Sequence, residues 1–362
     1  MTPDPILERL LDQVRAAMAD QRALAIHGGQ TKAFYGEPLQ GEPLDLRPLA
    51  GISSYEPTEL VVTVRAGTPL ADLEAALAEK GQCLPFEPPR FAPGGSVGGM
   101  VAAGLSGPSR AAVGAVRDYV LGATMLNGRA EVLSFGGQVM KNVAGYDVSR
   151  LLAGSMGSLG VILEVSLKVL PVAPATATLR FELDEGCAIQ QLNEWAAQPL
   201  PLNASAWWDG ALLLRLRGAQ AAVSAACQRL GGETIPAHQA DPFWEGLRDQ
   251  RDEFFAKARA AVQTGASLWR VSVPQTTPPL KLAGEQLIEW GGGQRWWCTP
   301  SPAAAVREAA RLAGGHATRF HGPADGPVFT PLSPVPERIH RALKAAFDPQ
   351  GLFNPGRLMS GL

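Results

Sequence analysis

Two glycine pairs set among very small residues, Pro93-Gly94-Gly95-Ser96-Val97-Gly98-Gly99-Met100-Val101-Ala102-Ala103-Gly104, let a backbone lie directly against a ligand. Only a ligand that wants bare N–H groups gains from this, and a pyrophosphate is the obvious one. Taken alone, the segment reads equally well as a tight turn at a crowded strand edge. No charge occurs from Phe91 to Ser109, but its glycines and prolines are wrong for a membrane span. Two further loops shift the balance. Upstream, Ile26-His27-Gly28-Gly29-Gln30-Thr31-Lys32 closes an apolar stretch with a glycine pair, a hydroxyl and a cation. Downstream, Gly154-Ser155-Met156-Gly157-Ser158-Leu159-Gly160 runs straight into Val161-Ile162. Three such loops suggest several strand ends converging on one large anionic ligand. Neither a GxGxxG fingerprint nor a GxxxxGK[ST] loop occurs, which disfavours a Rossmann dinucleotide site and a P-loop.

The elements that must position these loops follow from the apolar pattern. Val61 to Val64 reads as a strand, with Thr68 capping the next helix, Pro69 at its first position, Leu70, Leu73 and Leu77 on one face, and Gly81 ending it. Val120–Leu126 and Glu131–Phe135 read as a hairpin turned at Asn127-Gly128. Alternation from Val161 to Val169 predicts a strand with one buried face. Near residue 172 the chain changes character: its four tyrosines lie before that point and its eight tryptophans after it. Beyond it, strands are expected at 176–183, 211–217 and 267–273, with helices at 219–230, 302–313 and 339–347. An antiparallel sheet backed by helices is the consistent reading. No internal repeat or low-complexity segment is apparent.

Length and composition set limits. With 362 residues and 46% apolar content the chain is large enough for two domains. A net charge of −2 leaves no broad basic field, arguing against nucleic acid as a partner. Cys83, Cys187, Cys227 and Cys298 are far apart without a CxxC pair and read as reduced thiols of a cytoplasmic protein. The segment Met1 to Asp20 carries charges throughout and has no apolar signal core.

Taken in order, the His27 to Lys32 loop, the Pro93 to Gly104 loop, Arg117-Asp118-Tyr-Val-Leu-Gly, Lys141-Asn142-Val-Ala-Gly-Tyr-Asp147, Gly157-Ser-Leu-Gly-Val-Ile162 and the terminal Phe353-Asn354-Pro-Gly-Arg357 resemble the FAD-binding oxidoreductases of the vanillyl-alcohol oxidase and p-cresol methylhydroxylase type. The match is strong over residues 20–172 and returns over 340–362. The resemblance implies an α+β fold: a two-subdomain FAD-binding domain over 1–172, an antiparallel-sheet cap domain over 173–325, and a tail, 326–362, returning to the first. Gly28, Gly29, Gln30, Thr31 and Lys32 would embrace the pyrophosphate together with Pro93, Gly94, Gly95, Ser96, Val97, Gly98 and Gly99. Ser106, Gly107 and Gly114 would lie along the flavin, Gly160, Val161 and Ile162 would meet the adenosine end, Asp118 and Gly157 would also bind the cofactor, and Asn354 and Arg357 would approach it from the tail or only tie the tail down. Lys32, Arg110 and Arg117 would favour the reduced flavin, unless they are surface cations or paired, as Arg117 with Asp118. Gln30 and Thr31 occupy the place where some relatives attach FAD through a histidine, so noncovalent FAD is expected and His27 reads as a packing residue. Tyr146 would either approach the flavin or be buried structurally.

Relatives that oxidise 2-hydroxy acids carry a His-x-Gly-Asp-Gly-Asn-x-His metal motif in the cap. Here His316-Ala-Thr-Arg319-Phe-His321-Gly-Pro-Ala-Asp325-Gly326 lacks the second histidine and the asparagine, so no metal site is expected. His316, Arg319 and His321 remain the candidates for binding a carboxylate or taking a hydroxyl proton, or else they stabilise a loop or a subunit contact. Three functions stay open. The chain is a self-sufficient dehydrogenase of glycolate or D-lactate, an FAD-bearing partner of a second flavin subunit and an iron–sulfur subunit that meets the membrane only through them, or a cofactor-free scaffold. The incomplete metal motif and the lack of cluster cysteines favour the second.

Overall fold

The computed structural model describes residues 4–137 and 147–362. The motif from Lys141 to Tyr146 therefore lies outside the described residues. Val61–Arg65, rich in β-branched side chains, sits inside a five-stranded antiparallel sheet ordered Ile52–Glu56, Val61–Arg65, Val161–Lys168, Val120–Leu126, Val132–Gly136. The central strand departs from the expected single buried face. Its register against Val120–Leu126 shifts between Thr124 and Met125, where Met125 pairs with Ile162 and Thr124 with Glu164. This bulge flips the parity: Ile162, Val165 and Leu167 pack into one apolar core, and Val161 and Leu163 into another on the opposite side.

Thr68 does not cap the following helix. Its hydroxyl donates to the Arg65 carbonyl at 2.7 Å and accepts from the Gly51 N–H at 2.9 Å, tying the strand end to the Gly51 turn. The helix, Leu70–Ala78, begins after Pro69 and buries the anticipated Leu70, Leu73 and Leu77. The hairpin turn is wider than two residues: Asn127 Oδ1 accepts from the N–H groups of Arg129 and Glu131, and Ala130 adopts φ 57°.

A parallel pair, Leu24–His27 with Glu42–Asp45, packs beneath the helix Pro5–Asp20, which buries Leu10, Leu11, Val14 and Ala17 and is capped by Asp4. The tail returns to this pair. Leu24 N–H donates to the Leu352 carbonyl at 2.7 Å and Asn354 N–H to the Leu24 carbonyl at 2.9 Å. The preceding helix is longer than expected, Pro334–Phe347, because Ser333-Pro334 supplies a start one turn and more before Ile339. Its buried Lys344 binds Asp348 and the Ser158 and Phe353 carbonyls at 2.7–2.8 Å.

Residues 175–321 build an eight-stranded antiparallel sheet. Its order is Glu233–Ile235, Ala175–Glu182, Ala211–Gly218, Leu202–Trp208, Glu285–Glu289, Gln294–Thr299, Ser267–Ser272, His316–His321. Numbering the strands of each half a to d in chain order, the sheet reads d-a-c-b-b-c-a-d. It is an architectural repeat that the sequence does not reveal, because the half with the helix Glu185–Ala196 has only a loop at the equivalent place in its mate. The halves meet where Ala206 pairs with Glu289 and Trp207 with Ile288. Trp296 and Trp297 are buried in the cores on this sheet.

Candidate functional site

The loop after the strand Leu24–His27 and the loop before the helix Val97–Ala103 approach so closely that a Cβ on Gly29 would overlap the Gly94 carbonyl. Between them and the Met156–Gly160 loop opens a half-open cleft. Gly28, Gly29, Gln30, Thr31, Lys32, Ser96, Gly98, Gly99, Gly157, Gly160, Ile162, Asn354 and Arg357 all line it. The three loops singled out by composition thus converge, with the tail, on one space. Ile26, Leu39, Leu46, Ala66, Ala102 and Met156 add an apolar wall that their sequence context did not mark.

The donors are distributed differently from the expectation. Val97, Gly98 and Gly99 N–H groups are spent on Thr68 O, Ala66 O and Ser96 Oγ, at 2.9, 2.8 and 3.2 Å. Gly98 is small because a Cβ there would meet Ala66 Cβ at 2.6 Å, so its role is packing. The N–H groups from Gly29 to Lys32 and those of Gly94 and Gly95 donate to no acceptor among the described residues. Lys32 forms no ion pair among them either, and its Nζ lies 5.6 Å from the Phe91 ring centroid. Burial pushes its pKa down to about 8, against the pull of Asp249 and Glu74. Free amides and an uncompensated lysine beside an apolar wall fit a phosphate-bearing cofactor with a flat aromatic end.

Several expected residues support the cleft without lining it. Val161 is wholly in the core. Pro93, Gly94 and Gly95 form the outer turn of their loop, where a Gly95 Cβ would meet Thr31 Oγ1 at 3.1 Å. Asp118 accepts the Ala115 N–H at 2.8 Å, closing the turn at Gly114 and making no ion pair with Arg117. Asn354 bridges the Ile26 N–H and the Met156 carbonyl at 2.8 and 2.7 Å. Arg357 donates to the carbonyls of Ala33, Tyr35 and Glu37. Both tail residues therefore line the cleft and hold its walls. His27 Nδ1 lies 3.1 Å from Gln30 Nε2, and His27 also lines the cleft.

Ser106 and Gly107 line a second, smaller cavity between the two sheets, closed by Phe91, Leu105, Leu247, Trp296 and Phe320. Its polar groups are Arg248, Gln250, Arg270, Glu289 and Gln294. Sequence reading missed Arg270 and Glu289. The available signal was a single charge inside an otherwise apolar strand, as in Ser267-Leu-Trp-Arg-Val-Ser272. The cap candidates lie elsewhere: none of His316, Arg319 and His321 lines either cavity. Arg319 is consumed by Asp325 and the Gly326 carbonyl, and His321 stacks on Phe34 with centroids 4.5 Å apart. Burial, with Arg259 nearby, holds the His321 pKa below its ordinary value. Arg110 lies over Trp290, its guanidinium carbon 4.5 Å from the ring centroid. Among the described residues, no group of three His, Cys, Asp or Glu side chains is placed to hold a metal ion, and no helix is long and apolar enough to cross a membrane.

This fold and cleft are those of an FAD-binding oxidoreductase, and residues 7–136 match the FAD binding domain family. The whole chain resembles alkyldihydroxyacetonephosphate synthase in fold, with a TM-score of 0.65 over 96% of this chain and 74% of that one, at 15% identity. It is 47% identical to glycolate oxidase subunit GlcE of Escherichia coli over 98% of each chain, and it belongs to that family. More distantly, it is 29% identical to the D-2-hydroxyglutarate dehydrogenase of Xanthomonas citri over 53% of this chain and 42% of that one. A D-lactate dehydrogenase of Anaerostipes hadrus is 33% identical over 38% of this chain and 29% of its own.

Proposed function

We propose that this chain is the FAD-binding subunit of a complex that oxidises glycolate, or D-lactate, to the 2-oxo acid and passes the electrons to partner subunits. The carrying observation is the cleft, where free amides of residues 29–32 and an unpaired Lys32 face one space with the tail residues Asn354 and Arg357. Similarity to a glycolate oxidase subunit along the full length supports the substrate class. Bound FAD supplies a two-electron acceptor. The chain's own residues hold it: the amides of residues 29–32 take the phosphates, and Lys32 supplies positive charge. Cys83, Cys187, Cys227 and Cys298 are free thiols. Onward transfer is therefore assigned to partners, a second flavin subunit and an iron–sulfur subunit, in the cytoplasm and touching the membrane only through them. In steady-state assays with glycolate and an artificial acceptor, the assembled complex turns over and the isolated chain does not keep pace. An isolated chain matching the complex overturns this assignment and favours a self-sufficient dehydrogenase.

The FAD is held without a covalent bond, because Gln30 and Thr31 follow the glycines of the first loop. Acid or heat should release all of the flavin into the supernatant. Flavin fluorescence remaining on the denatured polypeptide contradicts this.

A further inference from the structure

The cavity between the sheets holds two opposite charges that do not meet. Arg270 donates to the Tyr35 hydroxyl at 2.9 Å and lies over that ring, its guanidinium carbon 5.5 Å from the centroid, but has no carboxylate partner among the described residues. Arg248, the other cation on the wall, is already bound by Asp249 at 2.8 and 2.9 Å. Glu289 is 4% exposed, and one of its oxygens, Oε2, accepts from Gln294 Nε2 at 3.0 Å and Trp296 Nε1 at 2.7 Å. Its second oxygen, Oε1, accepts nothing among the described residues. Glu289 is buried and Arg270 half-buried on the same wall, and a carboxylate held there without a counter-charge is costly unless something donates to it. The bridging molecule must be small, an anion at one end and a proton donor at the other.

Leu105 and Ser106, on this wall, follow Ala102 and Ala103 on the wall of the FAD cleft with only Gly104 between, so one segment of chain separates the two spaces. We propose that this cavity is a 2-hydroxy-monocarboxylate site in which Arg270 binds the carboxylate and Glu289 Oε1 receives the hydroxyl proton. This deepens the reading of the chain as a glycolate-oxidising flavoprotein and rests on it for the chemistry. In the step, the O–H bond breaks and its proton passes to Glu289, while the C–H bond breaks and its hydrogen leaves with both electrons to the oxidised flavin. The C=O bond of the 2-oxo acid forms in their place. Burial pushes the Glu289 pKa up to about 7, against its two hydrogen bonds, which makes it a stronger base than an ordinary carboxylate.

The test uses the FAD-loaded full chain and 2-hydroxyisobutyrate, which carries both groups but has no α-hydrogen to lose. By calorimetry the parent binds it roughly tenfold more tightly than isobutyrate, which lacks the hydroxyl, as expected for one hydrogen bond to a charged group. Arg270→Met weakens both acids about tenfold or more, and Arg270→Lys restores part of the loss. Glu289→Gln removes most of the preference for the hydroxyl. In anaerobic mixing with saturating glycolate it also slows flavin bleaching roughly 100-fold, the ordinary size of a general-base effect. Equal binding by the parent and Arg270→Met overturns the carboxylate role, with retained FAD absorbance certifying the fold. Unchanged bleaching in Glu289→Gln overturns the proton role. If binding depends on Arg270 while glycolate leaves the parent flavin oxidised, the site stands and the glycolate reading fails. If the assembled complex oxidises glycolate while every variant binds as the parent does, the function stands and the site fails.

Discussion

Gly29→Ala should purify almost free of FAD while its tryptophan emission and far-ultraviolet circular dichroism match the parent. The added methyl would overlap the Gly94 carbonyl and come within 3.1 Å of Gly95 Cα. Both neighbours are backbone, so neither can swing aside, and the two loops must separate to admit it. Overpacking of this kind costs about 1–3 kcal/mol, which at a binding site weakens affinity roughly 5- to 150-fold. The loss falls on the cofactor because the first of these loops contributes the free amides of Gly29 to Lys32. All eight tryptophans lie beyond residue 172, so their emission reports on the eight-stranded sheet independently. Two comparisons sharpen the result. In Gly95→Ala the new methyl meets Thr31 Oγ1 at 3.1 Å, a side-chain atom that can rotate, and the FAD loss should be smaller. In Gly98→Ala it meets Ala66 Cβ at 2.6 Å, so the thermal midpoint should fall along with FAD content. Parent-like FAD occupancy in Gly29→Ala would remove these loops from the cofactor site.

How much of this was legible in the sequence depends on whether the cause is local. The converging loops were readable because a glycine pair and small residues already restrict what a backbone can do there, and the cleft draws on all three. The strands at 120–126 and 211–217 and the helix ended by Gly231 were readable from period and punctuation. What stayed hidden depends on partners far away in sequence. Val97, Gly98 and Gly99 looked like phosphate ligands until their N–H groups were found bonded to Thr68, Ala66 and Ser96. The bulge opposite Met125 is invisible in Val161–Lys168 itself, because it is set by the neighbouring strand. The motif around His316 and His321 drew attention through its residue types, yet Arg319 is neutralised by Asp325, and the unpaired charges sit on Arg270 and Glu289. Cost lies in being buried without a partner, and one sequence does not show who is paired.

Glu87→Ala should cost about 3–5 kcal/mol of unfolding free energy, the largest loss expected from a single charge removal in this chain. Glu87 follows the short strand Gln82–Cys83 and adopts φ 50°, which turns its carboxylate toward the other sheet. There both of its oxygens take the Arg215 guanidinium at 2.7 and 2.8 Å, Arg217 adds a contact at 3.3 Å, and the Ser109 N–H donates at 3.0 Å. The Arg215 side chain is only 4% exposed and stands in the middle of the strand Ala211–Gly218. Its other supports, Asn203 Oδ1 at 2.6 Å and the Trp244 ring at 4.8 Å, carry no charge. Removing Glu87 therefore strands a buried cation, whereas losing an exposed pair such as Arg311 with Glu308 should cost under about 1 kcal/mol. Replacing both partners together, Glu87→Leu with Arg215→Met, should recover much of the loss, because the penalty is that of the orphaned charge. The pH dependence has a fixed sign. Burial works against the ionised Glu87, but Arg215, Arg217 and the Ser109 amide outweigh it and hold the folded pKa below the ordinary 4.5. Its contribution is thus complete above that value and fades as pH falls through the folded pKa, so the gap between parent and Glu87→Gln should narrow in acid. Because the Ser109 N–H hangs on the same carboxylate and the Gly107 N–H on the neighbouring Phe86 carbonyl, the loss of Glu87 also loosens the segment that walls the second cavity. Urea unfolding of parent, single and double variants decides the matter, and a Glu87→Ala loss under about 1 kcal/mol would put this pair in the class of surface contacts.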